Sequence, residues 1–160
     1  GGRGNDSLKG QDGRDRLRGG RDRDVLRGAR GRDTLIGGRG HDRLIGGMHQ
    51  DKLKGRQGND QLQGKSGDDI MNGGRGNDTL IGGKGADQFK LSYGKDTISD
   101  FNPAEGDRIV IPERMQASSL ELSSRQRGED LIIKSEGNVI FTILNNTRID
   151  SLPNQTLTFT

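Results

Sequence analysis

The chain has 160 residues, which suits one domain or one repeat array with a cap. Only 26% of its residues are hydrophobic and 3% aromatic, while 31% are charged and 28 are glycine, so composition alone would favour disorder. It contains no cysteine, which excludes disulfides and thiolate metal sites. No run of about 18 apolar residues occurs, so no membrane span is expected.

Ten nonapeptides follow one another without a gap from Gly1 to Lys90. Their first position is always Gly, and their eighth is always apolar, being Leu except for Met71 and Phe89. Their sixth position is always aspartate: Asp6, Asp15, Asp24, Asp33, Asp42, Asp51, Asp60, Asp69, Asp78 and Asp87. A disordered chain needs no such period, so the array predicts a repeat structure.

The repeat pattern predicts an all-β solenoid. Glycine at the first, second and fourth positions allows φ > 0 and a sharp turn whose carbonyls point inward. The three residues around the apolar eighth position then form a minimal strand, with the apolar side chain inside and its neighbours outside. Two nonapeptides complete one coil, so each repeat stacks on the next but one at about 4.8 Å. The aspartates form two columns, one from the odd and one from the even repeats.

Stacked carboxylates about 5 Å apart repel one another unless a cation lies between them. Calcium prefers about six to eight oxygen ligands, and the turns offer aspartate and carbonyl oxygens without nitrogen or sulfur donors. Five aspartates in each column leave four gaps, which predicts up to eight calcium ions. Turn formation by Asp alone would explain one or two of these residues, but not an unbroken column.

Calcium is expected to be required for folding. One buried apolar side chain in every nine residues is too little to offset the entropy lost when the chain becomes ordered. The sequence therefore predicts a roll that is largely disordered without calcium and folds on binding it.

Some repeats depart from the pattern where φ > 0 is needed. The second or fourth glycine is replaced by Asp22, His49, Arg56 and Lys65. We therefore expect the sites near Asp24 and Asp51 to be the weakest. The two histidines, His41 and His49, are interpreted as exposed turn residues rather than as a transition-metal site.

The repeats resemble the RTX (repeats-in-toxin, haemolysin-type) calcium-binding motif GGxGxDxUx, in which U is a large apolar residue. The resemblance covers 90 of the 160 residues. It implies a right-handed parallel β-roll that holds calcium in its turns, usually within a secreted or cell-surface protein.

Residues 1–90 carry 19 Lys and Arg against 13 Asp and Glu, whereas residues 91–160 carry 7 against 10. Outward strand positions of the even repeats supply a basic face: Arg16, Arg18, Lys52, Lys54 and Lys90. Such a face favours an anionic polysaccharide or lipopolysaccharide. Nucleic acid is not expected because stacking aromatic residues are few. The alternative, that the cations only offset the aspartates and keep the roll soluble, stays open.

Residues 91–160 are predicted to form a β-rich cap. They contain D-x-I-x-D-F and G-D-R-I blocks similar to those that follow RTX arrays, so that Asp96, Asp100 and Asp107 either close the last calcium turn or only cap it. Three antiparallel strands are predicted, with a turn at 136–138 joining the last two: Ser119–Leu122, Asp130–Lys134 and Asn138–Leu144. By resemblance, the C-terminal tail RIDSLPNQTLTFT is compatible with an uncleaved type I secretion signal.

The sequence favours a non-catalytic calcium-binding module attached to an upstream domain of a larger exported protein. It has no candidate nucleophile motif, and its patterned acids are assigned to calcium. An alternative is a calcium-dependent polyanion-binding module similar to the R-modules of alginate C5-epimerases. A surface-layer or adhesin segment needs only the roll, and the C-terminal half of a serralysin-like protease also remains open, although no H-E-x-x-H motif occurs.

Overall fold

A computed structural model describes residues 1–90, 92–111, 120–124, 130–135, 138–144 and 157–159. These residues form strands and connecting turns, with no helix among them. The strands of the repeat array are β1 Ser7–Asp12, β2 Arg16–Arg21, β3 Val25–Arg30, β4 Thr34–Arg39, β5 Arg43–Met48, β6 Lys52–Gln57, β7 Gln61–Ser66, β8 Ile70–Arg75, β9 Thr79–Lys84 and β10 Gln88–Lys90. Those that follow are β11 Asp96–Ile98, β12 Arg108–Ile111, β13 Leu120–Ser124, β14 Asp130–Ser135, β15 Asn138–Leu144 and β16 Leu157–Phe159.

The strands build a parallel β-solenoid, as the repeat period predicts. Odd strands β1 to β11 lie side by side in one sheet, and even strands β2 to β12 in the other. Leu8 pairs with Leu26 and Leu26 with Leu44, so each coil takes 18 residues and each repeat stacks on the next but one. Strands β1 to β12 thus form six turns.

The strands are longer than the three residues expected. Each of β1 to β9 has six residues and continues into the first three positions of the following repeat. In the first pair, Gln11 aligns with Ala29 and Asp12 with Arg30, while the intervening Gly10 is skipped. The sequence interpretation placed these positions in the turn. They pair with the next coil instead, even though the second-position residue has positive φ, because each coil repeats the same bend directly above the last.

The core is a stack of eighth-position side chains between the two sheets. Leu26, Leu44 and Leu53 have no exposed surface, whereas Leu8 and Leu17 in the first coil are only partly buried. At the other end of the stack, the rings of Phe89 and Phe101 meet edge to face with centroids 6.0 Å apart. The prediction that the eighth position points inward is confirmed.

Strand pairing continues beyond Lys90. Strand β11 pairs with β9, and β12 with β10, so the two sheets gain one more coil. Strand β15 pairs in parallel with β11 and antiparallel with β14, which in turn pairs with β13. The three predicted C-terminal strands are therefore present and extend the first sheet, and β16 extends the second. The predicted turn includes residues 136 and 137, which lie outside the described residues.

Within the described ranges, no helix is long and apolar enough to cross a membrane.

Candidate metal centre

The sixth-position aspartates lie in two continuous columns at the turns of the solenoid. In each column the backbone N–H of one aspartate donates to Oδ1 of the aspartate in the next coil. Asp24 donates to Asp42 over 2.9 Å, and Asp33 donates to Asp51 over 2.7 Å. The same bond recurs along both columns. The carboxylates are therefore held in register at the 18-residue spacing.

The second carboxylate oxygen, Oδ2, has no hydrogen-bond partner at most positions of the two columns. Nine Oδ2 atoms are buried without a hydrogen bond: those of Asp15, Asp24, Asp33, Asp42, Asp51, Asp60, Asp69, Asp78 and Asp87. A buried carboxylate oxygen without a partner is unfavourable, since it has lost its hydration. A cation between the coils would satisfy it.

The space beside each Oδ2 exists because the first position of the repeat is glycine. A Cβ added to Gly10 would lie 2.5 Å from Oδ2 of Asp15 and 2.8 Å from the carbonyl oxygen of Gly28 in the next coil. Equivalent oxygens border Gly46, where an added Cβ would lie against Oδ2 of Asp51 and 2.9 Å from the carbonyl oxygen of Gly64. Each such space is thus lined by a carboxylate oxygen and a main-chain oxygen from successive coils.

These residues fit a hard divalent cation. Carboxylate and carbonyl oxygens are the ligands that Ca²⁺ prefers. Among the described residues, no three or more His, Cys, Asp and Glu side chains come together as a metal-binding group. The oxygens that border each gap are an aspartate Oδ2 and a main-chain carbonyl, so a cation held here would be bound by both kinds of ligand. Calcium held between the coils would neutralise the buried charge of the columns.

The electrostatics of the columns without a cation are unfavourable. Burial raises the pKa of Asp69 to about 8, and the neighbouring carboxylates of Asp87 and Asp51 add to the rise. Burial likewise raises the pKa of Asp78 and of Asp87 to about 7. Backbone N–H donors lower these values but do not offset the effect of burial. At these three positions burial without a cation therefore favours the protonated carboxyl, which carries no buried charge.

Two of the three C-terminal candidates extend the columns. Oδ1 of Asp96 accepts the N–H of Asp78 at 3.0 Å, and Oδ1 of Asp107 accepts that of Asp87 at 2.9 Å. Their Oδ2 atoms are satisfied by protein donors, the Ser92 hydroxyl at 2.6 Å and the Asn102 N–H at 2.8 Å.

Asp100, the third candidate, lies outside the columns. Its Oδ1 accepts the N–H of Gly82, and its Oδ2 accepts that of Gly83, both at 2.8 Å. Its carboxylate therefore caps the backbone of the last repeat. At the N-terminal end, Asp6 is partly exposed and its Oδ2 accepts the N–H of Gly2 at 2.9 Å.

The residues that replace glycine in the repeats adopt the positive φ that glycine has at the equivalent positions. All six non-glycine residues at the second and fourth positions of the repeats have φ between 76° and 92°: Gln11, Asp22, Ala29, His49, Arg56 and Lys65. Sequence analysis named four of them and overlooked Gln11 and Ala29. A side chain at positive φ costs about 1–2 kcal/mol. The weakness expected of the sites near Asp24 and Asp51 stays a prediction.

Fifth-position side chains form an outer ladder that the sequence analysis did not predict. Oδ1 of Asn59 accepts the N–H of Asn77 at 2.9 Å, and Nδ1 of His41 accepts the N–H of Asn59 at 2.8 Å. Both histidines are exposed at the turns, as expected. Nδ1 of His49 lies 2.9 Å from the carbonyl oxygen of Met48.

The predicted basic residues lie on the second sheet, and most of them are exposed. Arg18 lines a surface groove of about 680 Å³ on that sheet. Arg16, Lys52 and Lys54 are exposed and Lys90 is half-buried, and none of the four lines the groove. The remaining cations of the groove come from the second and third positions of the odd repeats: Arg21, Arg39, Arg56 and Arg75. Sequence analysis overlooked these because it ended each strand at the ninth position.

The comparisons with known proteins agree with this geometry. A sequence profile of the family described as RTX calcium-binding nonapeptide repeat (4 copies) matches residues 1–26, 18–53, 27–62 and 54–89, which is more than half of the chain. A search of curated proteins returned no match.

Two solved structures are similar to the chain. One is the AlgE6R3 subunit of the mannuronan C5-epimerase from Azotobacter vinelandii, with 28% identity, a TM-score of 0.53 and 80% of each chain covered. The other is the extracellular lipase LipA from Serratia marcescens, with 16% identity and a TM-score of 0.54. The match covers 99% of this chain but 40% of the lipase chain, and at that identity it shows the fold alone.

Proposed function

Because this chain belongs to the RTX calcium-binding nonapeptide repeat family, we propose that it is a non-catalytic module that folds on binding several calcium ions and serves as the C-terminal folding and secretion region of a larger exported protein. The observation that carries the proposal is the set of nine buried Oδ2 atoms without partners. They lie in both columns, buried at positions where no protein donor satisfies them. The ligands we assign are the nine sixth-position aspartates from Asp15 to Asp87 together with carbonyl oxygens of the turns, while Asp6, whose Oδ2 accepts the N–H of Gly2, is left out.

The structure suggests a number of ions slightly above the eight expected from the repeats. Because each unpaired Oδ2 borders the gap to the next coil, one ion for each gives nine. The number exceeds eight because Asp96 and Asp107 each add one member, and therefore one gap, to a column. The first gap, beside Asp6, is excluded since that carboxylate is partly exposed and already accepts the N–H of Gly2.

Calcium and folding are coupled in this proposal. A fold that buries so many carboxylates is unfavourable unless their charge is neutralised. Calcium binds the folded columns and finds no preformed site in the unfolded chain, so its binding free energy stabilises the roll. Calcium levels outside the cell would then fold the module after export.

Circular dichroism with added calcium and with chelator tests the proposal. We expect little β signal in chelator and a cooperative gain of β signal as calcium is added. Magnesium provides the control, because it demands a smaller octahedral shell and keeps its waters. A full β signal in excess chelator would contradict the proposal.

A second candidate function is binding of an anionic polysaccharide or cell surface. Five arginines in one groove of the second sheet favour it, and the similar AlgE6R3 subunit comes from an enzyme that acts on mannuronan, a polyuronate. Retention of the calcium-loaded chain on an immobilised polyuronate, lost at high salt, would support this function.

A further inference from the structure

A basic groove crosses the strands of the second sheet on the outer surface of the solenoid. Its volume is about 680 Å³, and it extends from Gly2 in the first coil to Tyr93 in the sixth. Five arginines and no acidic residue line it: Arg18, Arg21, Arg39, Arg56 and Arg75. Since coils are about 4.8 Å apart, the groove is about 24 Å long.

The arginines of this groove are not neutralised by the aspartates. All five are exposed, whereas the column carboxylates from Asp24 to Asp87 are buried in the turns. Within the described part of the chain, none of the five guanidinium groups has a carboxylate partner. Cations held this close together repel one another. An anionic ligand along the groove would relieve that repulsion.

Arg56 is the most unusual of the five residues. It lines the groove at the second repeat position, where neighbouring coils have Gly20, Gly38 and Gly74. Its φ is 92°, a conformation that glycine adopts without strain. Five other non-glycine residues of the repeats, Lys65 among them, share this conformation, so the strain alone assigns no role. What distinguishes Arg56 is that its side chain adds a cation near the middle of the groove.

We propose that the groove binds one extended chain of an acidic polysaccharide, a polyuronate, along the solenoid axis with Arg56 at its centre. This inference deepens the second candidate function and depends on the calcium-folded roll. Arginines of four successive coils, about 4.8 Å apart, follow the axis, so a chain of carboxylates laid along it can meet several of them at once. Guanidinium groups bind carboxylates through two parallel hydrogen bonds. Tyr93 is a single aromatic side chain in the described lining of the groove, which is too few for repeated base stacking.

A matched pair of variants tests the inference. Arg56→Gly removes the central cation and Lys65→Gly removes one from the opposite sheet. Both replace a residue at positive φ, 92° and 89°, by glycine. The probe is a fluorescently labelled hexauronate, short enough to avoid gelling with calcium, and anisotropy gives its affinity for the calcium-loaded chain. We expect Arg56→Gly to weaken binding about tenfold, the loss of one charge-assisted contact. Lys65→Gly should stay within about twofold.

The outcomes separate this inference from the proposed function. Equal weakening by both variants, or none by either, overturns it, since then no defined groove is used. A hexathymidylate that binds as tightly and loses as much in Arg56→Gly overturns the preference for uronates. If calcium folds the wild-type chain but hexauronate does not bind, the groove assignment fails and the calcium module stands. Failure of calcium to produce a β signal contradicts the proposed function itself.

Discussion

Replacing Asp69 by Asn changes one column ligand without changing its shape. Oδ1 would still accept the N–H of Asp51, now at 2.7 Å, while an uncharged amide takes the place of the unpaired Oδ2. Loss of one charged ligand is expected to cost about 2 kcal/mol at that site, or about thirtyfold in calcium affinity. Only one gap is affected, because only Oδ2 is available to a metal.

The same substitution has the opposite effect on the calcium-free chain. Burial raises the pKa of the Asp69 carboxyl to about 8, so a neutral amide removes an unfavourable buried charge. Asp69→Asn should therefore bind one ion fewer by calorimetry and yet show more β signal in chelator than the wild type.

The adjacent Asp68→Asn provides the control for this substitution. Asp68 is exposed, and its Oδ1 accepts the N–H of Ala86 at 3.0 Å, a contact that Asn preserves. Asp68→Asn changes the net charge by the same amount as Asp69→Asn. Because Asp68 lies outside the columns, its replacement should leave the number of bound ions unchanged. An unchanged ion count in Asp69→Asn, or an equal loss in Asp68→Asn, would refute the assignment of the columns.

Three further predictions concern the stability of the roll. The pKa of Asp69 is raised from 3.8 to about 8, so between these values the folded metal-free chain holds a proton that the unfolded chain releases. The contribution of this proton to the stability of the metal-free fold is therefore complete below about pH 4 and is lost as the pH rises to about 8. Circular dichroism in chelator should thus show more β structure at about pH 5 than at about pH 8, and the reverse order would contradict the burial of charge. Leu53→Ala empties a fully buried position and should cost about 2–5 kcal/mol of unfolding free energy in saturating calcium; Leu17→Ala, partly buried, should cost less in the same denaturant titration. Gly58→Ala would press a Cβ on the Gly40 carbonyl, whereas Gly13→Ala meets nothing within 4 Å; thermal melts should show the larger loss for Gly58→Ala, and equal losses would mean that backbone strain alone matters.

The period of the sequence was sufficient to predict the coil and the two columns. Ten sixth-position aspartates and ten apolar eighth positions allow one register, because any shift would take the apolar side chains out of the core and break the two aspartate columns. The length of the strands was not predictable in the same way. Glycine-rich stretches such as Gly19-Gly20 read as turns, but the backbone at Gly20 and Arg21 pairs with the next coil. This pairing also explains why four of the groove arginines were overlooked.

The coil beyond the array had a signal that could have been recognised. Asp96-Thr97-Ile98 repeats the Asp-x-apolar triad of Asp78-Thr79-Leu80 at the 18-residue spacing. The next such triad begins at Asp107, 20 residues after Asp87 rather than 18, because the loop before it is two residues longer. The donors that satisfy the Asp96 and Asp107 carboxylates, Ser92 and Asn102, lie four and five residues before them, so these are local contacts that the nonapeptide pattern does not contain.

Counting the calcium ions bound by the intact chain, while circular dichroism follows the same samples, tests the central claim most directly. Isothermal calorimetry should show cooperative uptake of about nine ions, one for each unpaired Oδ2, with β signal rising in step. A chain that is already folded in chelator and takes up no calcium would contradict the account, since its buried carboxylates would then be stable without a cation.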